Sequence, residues 1–105
     1  MPLLSMPRTT TRVQLNGRPS DEDYKTLHTA MKKKRFSRFI TGSDGTIYHL
    51  PHAEYNREDD GTMAQVLADA KAAAAFWADH QILVTEGSRT WWKLKKATAD
   101  EVAAG

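Results

Sequence analysis

The dipeptide Asp44-Gly45 lies between two strand-like runs, Phe36 to Gly42 and Thr46 to Leu50, and it constrains the fold more than any other feature. Glycine, and to a lesser degree aspartate, accepts the positive φ that a tight reversal demands. Ser43-Asp44-Gly45 therefore predicts an antiparallel hairpin in the middle of the chain. What precedes and follows it must pack against that hairpin. Upstream, Thr10 to Leu15 (TTRVQL) alternates, with Val13 and Leu15 on one face and Thr10, Arg12 and Gln14 on the other, which predicts a first strand. Ser20 followed by Asp21-Glu22-Asp23 is a helix start: a hydroxyl cap, then acids at the positive helix end. Tyr24, Leu27, His28 and Met31 then fall on one stripe at i, i+3, i+4 and i+7.

Downstream, Leu50-Pro51 closes the third strand and EYNREDDG reads as a polar loop. Thr62 to Gln65 matches a capping box, and Met63, Val66, Leu67, Ala70, Ala74 and Trp77 keep helical spacing through an alanine-rich second helix. Ile82 to Thr85 predicts a buried fourth strand, and Thr90 to Leu94 a short fifth one. The tail TADEVAAG is either one helical turn or disorder. The order is βαββαβ with a short C-terminal strand or extension. Such an order fits an α+β fold, a two-layer ferredoxin-like sandwich with both helices on one face of an antiparallel sheet and the other face open. The expected organisation is a flexible N-terminal arm (1–9), a single ferredoxin-like domain (10–96) and a flexible tail (97–105).

A chain of 105 residues supports one domain, and a domain of this size needs no metal or disulfide to fold. It has no cysteine, which removes disulfides and thiolate zinc sites and fits a reducing cytoplasm. No apolar run approaches the ~18 residues of a membrane span, so no membrane association is expected. MPLLSMPRTTT lacks the basic start and long apolar stretch of a signal peptide. The net charge of +2 hides an uneven distribution. Arg8 to Arg38 carries nine basic and three acidic residues, Phe39 to Ser88 two basic and eight acidic, and Arg89 to Lys96 four basic and none acidic.

Three groupings could carry chemistry. His49 and His52 form an H-x-x-H pair across Pro51, with no third ligand close in sequence, so acid–base use fits better than metal binding. A solvated pair at a strand end is the bland alternative. Lys32, Lys33, Lys34, Arg35 and Arg38 place five cations in seven residues, more than a helix end requires, and suit phosphate as well as a plain solvated surface. Trp91-Trp92 beside Lys93, Lys95 and Lys96 suits base stacking with cations along the backbone, or an edge strand guarded by lysines. No glycine-rich phosphate loop or nucleophile elbow occurs, and no cofactor is expected.

The run RVQLNG, then DYKTLHTAM, then FSRFITGSDGTIYHLPHAEY, resembles the GhoS-type family of type V antitoxin endoribonucleases over Thr10 to Leu94. The resemblance implies a cytoplasmic, metal-independent endoribonuclease of ferredoxin-like fold. Such an enzyme belongs to a toxin–antitoxin system and cuts single-stranded messenger RNA for a membrane toxin. Related nucleases of this fold carry an aspartate at the end of the first strand. Here that place reads Leu15-Asn16-Gly17, and no aspartate is carried over. Cleavage without a metal needs a base, an acid and a cation at the phosphate. The candidates are Arg35, Arg38, His49 and His52, with His28 as a further imidazole; Lys32, Lys33, Lys34, Trp92, Lys93 and Lys95 are the candidate RNA contacts. The competing expectation is a non-catalytic binding module, such as a prophage-encoded regulator or inhibitor, that grips a protein or nucleic-acid partner through its open sheet. A homodimer is compatible with either.

Overall fold

The alternating threonines and aliphatics of the first strand set the layout. In the computed structural model, which describes residues 7–105, β1 (Arg8–Leu15) buries Thr9, Thr11, Val13 and Leu15 and turns Arg8, Arg12 and Gln14 to solvent. The elements that follow are α1 (Asp21–Lys33), β2 (Phe39–Thr41), β3 (Ile47–His49), β4 (Glu54–Glu58), α2 (Met63–Ala74), β5 (His80–Glu86) and α3 (Ala99–Ala104). β1 is the centre of a three-stranded antiparallel sheet in the order β4-β1-β5, while β2 and β3 form a separate hairpin. Its turn is the one Asp44-Gly45 predicts: Gly45 takes φ +84°, and the Asp44 carboxylate accepts from the Thr46 N–H at 3.0 Å.

Both long helices begin with reciprocal caps. Ser20 and Asp23 exchange bonds at α1, where the short aspartate serves in place of glutamate, and Thr62 and Gln65 do so at α2. The helices share the inner face of the sheet. Leu27 and Met31 of α1 and Val66, Ala70, Ala73 and Ala74 of α2 close over Val13, Leu15, Phe36 and Tyr55. Three alanines at this contact let α2 approach closely, and its Leu67 stays exposed although it continues the apolar spacing.

Several expectations need correction. The chain order is βαβββαβα, not βαββαβ. The segment read as a polar loop contains β4, and it is β4, not the Thr46–Leu50 strand, that pairs with β1. The predicted second strand survives as β2 plus an isolated Ser37↔Asn56 bridge against β4. Ile82 to Thr85 lies in an edge strand that is only half-covered, because nothing among the described residues pairs beyond it. Thr90 to Leu94 forms no strand.

That last segment instead crosses the outer face, which the sequence reading leaves open. Arg89 donates to Asn56 Oδ1 on that face, and Trp91 and Leu94 meet Ile40 and Leu50 around a cleft of about 180 Å³. The backbone then runs beside β3, where His49 N donates to Lys95 O at 2.8 Å and Ala97 N to Ile47 O at 2.9 Å. The β4 half of the outer face is thereby covered and the β5 half is not. The tail forms α3, the helical alternative for TADEVAAG, capped by Thr98 and Glu101. β1 opens at Arg8, so two residues assigned to the N-terminal arm are in strand; the arm's first six lie outside the described residues.

Candidate functional site: a histidine and tyrosine cluster beside Arg38

Tyr24 and His28 stand four residues apart on α1, so they share one helix face, next to the buried Leu27 and Met31. Below them Tyr55 points inward from β4 with its side chain fully buried. His28 Nδ1 lies 2.6 Å from Tyr55 Oη, and the rings are 5.7 Å apart. His52 comes from the loop between β3 and β4. Its ring packs edge-on against Tyr24 at 4.4 Å and stands 6.2 Å from His28. Local backbone explains that placement. Ala53 is buried with φ +60°, a left-handed conformation costing roughly 1 kcal/mol for a residue with a Cβ, and it reverses the chain between His52 and Glu54.

Arg38, in the link between α1 and β2, is close enough for its charge to act on both His28 and Tyr55. Desolvation lowers the His28 pKa to about 4, reinforced by the charges of Arg38 and His52. Burial drives the Tyr55 phenol well above its ordinary value, against the opposing pull of Arg38. Both groups are thus neutral near pH 7. Tyr55 Oη makes no other hydrogen bond among the described residues, so the phenol donates, Nδ1 accepts, and the imidazole proton sits on Nε2. Tyr24 Oη accepts from Leu15 N at 3.2 Å, tying this end of α1 to β1. The cluster is layered: a buried phenol, a half-buried neutral imidazole, and an exposed imidazole at the mouth.

The other candidates go elsewhere. His49 turns away from His52, packs on Phe39 at 5.0 Å between ring centres, and lies 2.7 Å from the Glu101 carboxylate of α3, off the hydrogen-bond direction. Arg35 is 3.8 Å from Asp59. Lys32 reaches the Ala104 carbonyl at 3.5 Å, and Lys33 and Lys34 are exposed at the end of α1. Of the two tryptophans, Trp91 packs on Tyr48 at 5.7 Å while Trp92 is 81% exposed, with the Lys93 ammonium 4.6 Å over its ring. Lys95 is exposed on the segment beside β3.

The sequence places Tyr24 on the apolar stripe of the first helix and Tyr55 beside the histidines, but marks neither as a site residue. The i, i+4 pairing of Tyr24 with His28 is the one signal that marks the first; Tyr55 is hidden because its strand reads as loop. Among the described residues no three His, Asp or Glu side chains converge as a metal-binding set, and no helix is long and apolar enough to cross a membrane. No family profile, curated protein sequence or solved structure matches this chain.

Proposed function

We propose that this chain is a cytoplasmic, antitoxin-like endoribonuclease that cuts single-stranded messenger RNA without a metal, using Arg38, His52 and His28. The observation that carries the reading is a pair of imidazoles of different exposure with rings 6.2 Å apart, the inner one within reach of the Arg38 charge. In the reaction the RNA's own 2′-OH attacks the adjacent phosphorus, the bond to the 5′ oxygen breaks, and a 2′,3′-cyclic phosphate and a 5′-OH result. One imidazole takes the 2′ proton and another donates to the leaving oxygen. Arg38 balances the charge that grows on the phosphoryl oxygens. His52, at the solvent-facing mouth, suits the base; His28, whose Nδ1 is engaged by Tyr55 and whose proton sits on Nε2, suits the donor to the leaving oxygen.

The ferredoxin-like reading of the sheet belongs to the same proposal. What supports it is the order β5-β1-β4 with Ser37 bridged to the far side of β4, which leaves β3 as an inserted strand. Trp92, with Lys93 over its ring, supports single-stranded RNA as the ligand and equally suits a module that binds without cutting.

The test is incubation of the full chain with a uridine- and adenine-rich single-stranded RNA in EDTA. Cleavage leaving cyclic phosphate ends is expected, slowed about 100-fold or more in Arg38→Ala and His52→Ala, and unaffected by His49→Ala. RNA that stays intact at high protein concentration removes the catalytic reading, and salt-sensitive binding without cleavage then selects the module. Cleavage unchanged in Arg38→Ala/His52→Ala removes this site.

A further inference from the structure

The two edges of the three-stranded sheet are treated differently. On the β4 side, Ser37 and Asn56 exchange backbone hydrogen bonds of 2.8 and 2.7 Å, and Arg89 lies over the strand. On the β5 side no backbone partner exists among the described residues. β5 runs seven residues, HQILVTE, without proline, lysine or arginine, the usual devices that keep an open edge from pairing. Leu83 at its midpoint is 65% exposed.

The ladder to β1 shows which backbone groups are unused. Asn16 N donates to Asp79 O at 2.9 Å and Gly87 N to Arg8 O at 3.0 Å, one at each end. Hydrogen-bonded pairs recur every second residue, so Gln81, Leu83 and Thr85 spend their N–H and C=O groups on β1. The groups of His80, Ile82, Val84 and Glu86 point the other way.

We infer that β5 pairs with β5 of a second copy of this chain, antiparallel about a two-fold axis at Leu83, to make a continuous six-stranded sheet. The strand is self-complementary in that register. His80 faces Glu86 of the other copy, an imidazole opposite a carboxylate at both ends. Gln81 faces Thr85, Ile82 faces Val84, and Leu83 faces itself on the outer surface. The outward-pointing backbone groups of Ile82 and Val84, and of His80 and Glu86, fall opposite one another and complete a second ladder. A shift of two residues in either direction leaves His80 or Glu86 beyond the paired stretch. The half-covered Ile82 and Val84 are then sheltered on the helix-bearing face.

The absence of cysteine makes the register testable. Light scattering of the full chain is expected to give about twice its 11.8 kDa, and Leu83→Lys, which sets two ammonium groups face to face, the monomer mass with an unchanged far-UV spectrum. Because Leu83 is exposed in a single copy, the variant's fold does not depend on it. In Leu83→Cys the two Cα atoms would stand about 4.5 Å apart, a distance a disulfide spans, so mild oxidation gives a covalent dimer. Gln81→Cys, offset from its symmetry mate by four residues or about 13 Å, does not cross-link. A wild-type monomer at NMR concentrations overturns the inference, and so does equal cross-linking of the two cysteine variants.

Discussion

The Nδ1 atom of His28 lies 2.6 Å from the hydroxyl of Tyr55, and this contact joins the half-buried flank of α1 to the buried side of β4. It brings together an imidazole that resists protonation and a phenol that resists ionisation, each for the same reason, loss of solvent. Arg38 adds a positive charge that further discourages a second one on His28.

A pH dependence of stability follows. His28 has an ordinary pKa of 6.5 and a folded-state value of about 4, so between these limits the unfolded chain binds the extra proton. Stability from this group is complete above pH 6.5 and falls as the pH drops toward 4. Denaturant midpoints across that range should decline in the wild type and decline less in His28→Gln. An NMR titration placing the His28 midpoint near 6.5 would contradict the assignment. Tyr55→Phe keeps the ring and removes the donor, and should cost about 1 kcal/mol.

Arg57 is 2% exposed and buried under the Phe36 ring, 2.6 Å from both Asp59 and Asp69. It fixes β4 to α2 and also reaches the Lys34 carbonyl at 3.4 Å. Arg57→Met should destabilise by about 3 kcal/mol in urea unfolding, because it strands partly buried carboxylates. Asp69→Asn leaves Asp59 in place and should cost less. Equal effects would mean that the pair with Asp69 carries the whole cost and that Asp59 adds nothing.

Arg57 also shows why much of this fold is hidden in the sequence. Helix starts, the Asp44-Gly45 turn and the face of β1 are local signals, each carried by a few adjacent residues, and they appear where expected. β4 is the failure. Its inward positions are Tyr55 and Arg57, so the period-2 pattern has a single apolar member, and burial of the other depends on aspartates at positions 59 and 69. A buried arginine and a solvated one look alike until the chain folds. The candidate site follows the same division. Arg38 and His52 are visible as residue types, but their grouping with His28, and the parting of His49 from His52, come from the left-handed turn at Ala53, which has no local signature, and from the docking of α3, whose capping box marks a helix but not where it packs.

Thr11 marks a small inefficiency in the core. Its side chain is fully buried on the inner face of β1 between the registers of Tyr55 and Val84, and its hydroxyl has no hydrogen-bond partner among the described residues. An unpaired buried hydroxyl costs about 1–3 kcal/mol. Thr11→Val keeps the β-branched shape, and should raise stability by about 1 kcal/mol in thermal or urea unfolding. A loss of stability would instead reveal a partner for the hydroxyl, such as an ordered water.

Arg35 occupies a backbone position where glycine is the physical default. Its N–H donates to Lys32 O at 3.0 Å and the Phe36 N–H to Met31 O at 3.1 Å, the paired bonds that close a helix through one left-handed residue. That residue is Arg35, with φ +70°, and a side chain there costs roughly 1 kcal/mol that glycine would not. Its 3.8 Å contact with Asp59 is mostly exposed and offsets little of this. Arg35→Gly should therefore raise stability in urea unfolding by up to about 1 kcal/mol, less the added freedom of glycine in the unfolded chain. If the cation serves RNA, the same variant should bind single-stranded RNA more weakly and with a shallower salt dependence. Arg35→Ala separates the two effects, since it removes the charge but retains the strained Cβ: it should lose the RNA affinity without gaining the stability. Unchanged RNA affinity in both variants would remove Arg35 from the RNA-contacting surface and leave its conformation a cost without a use.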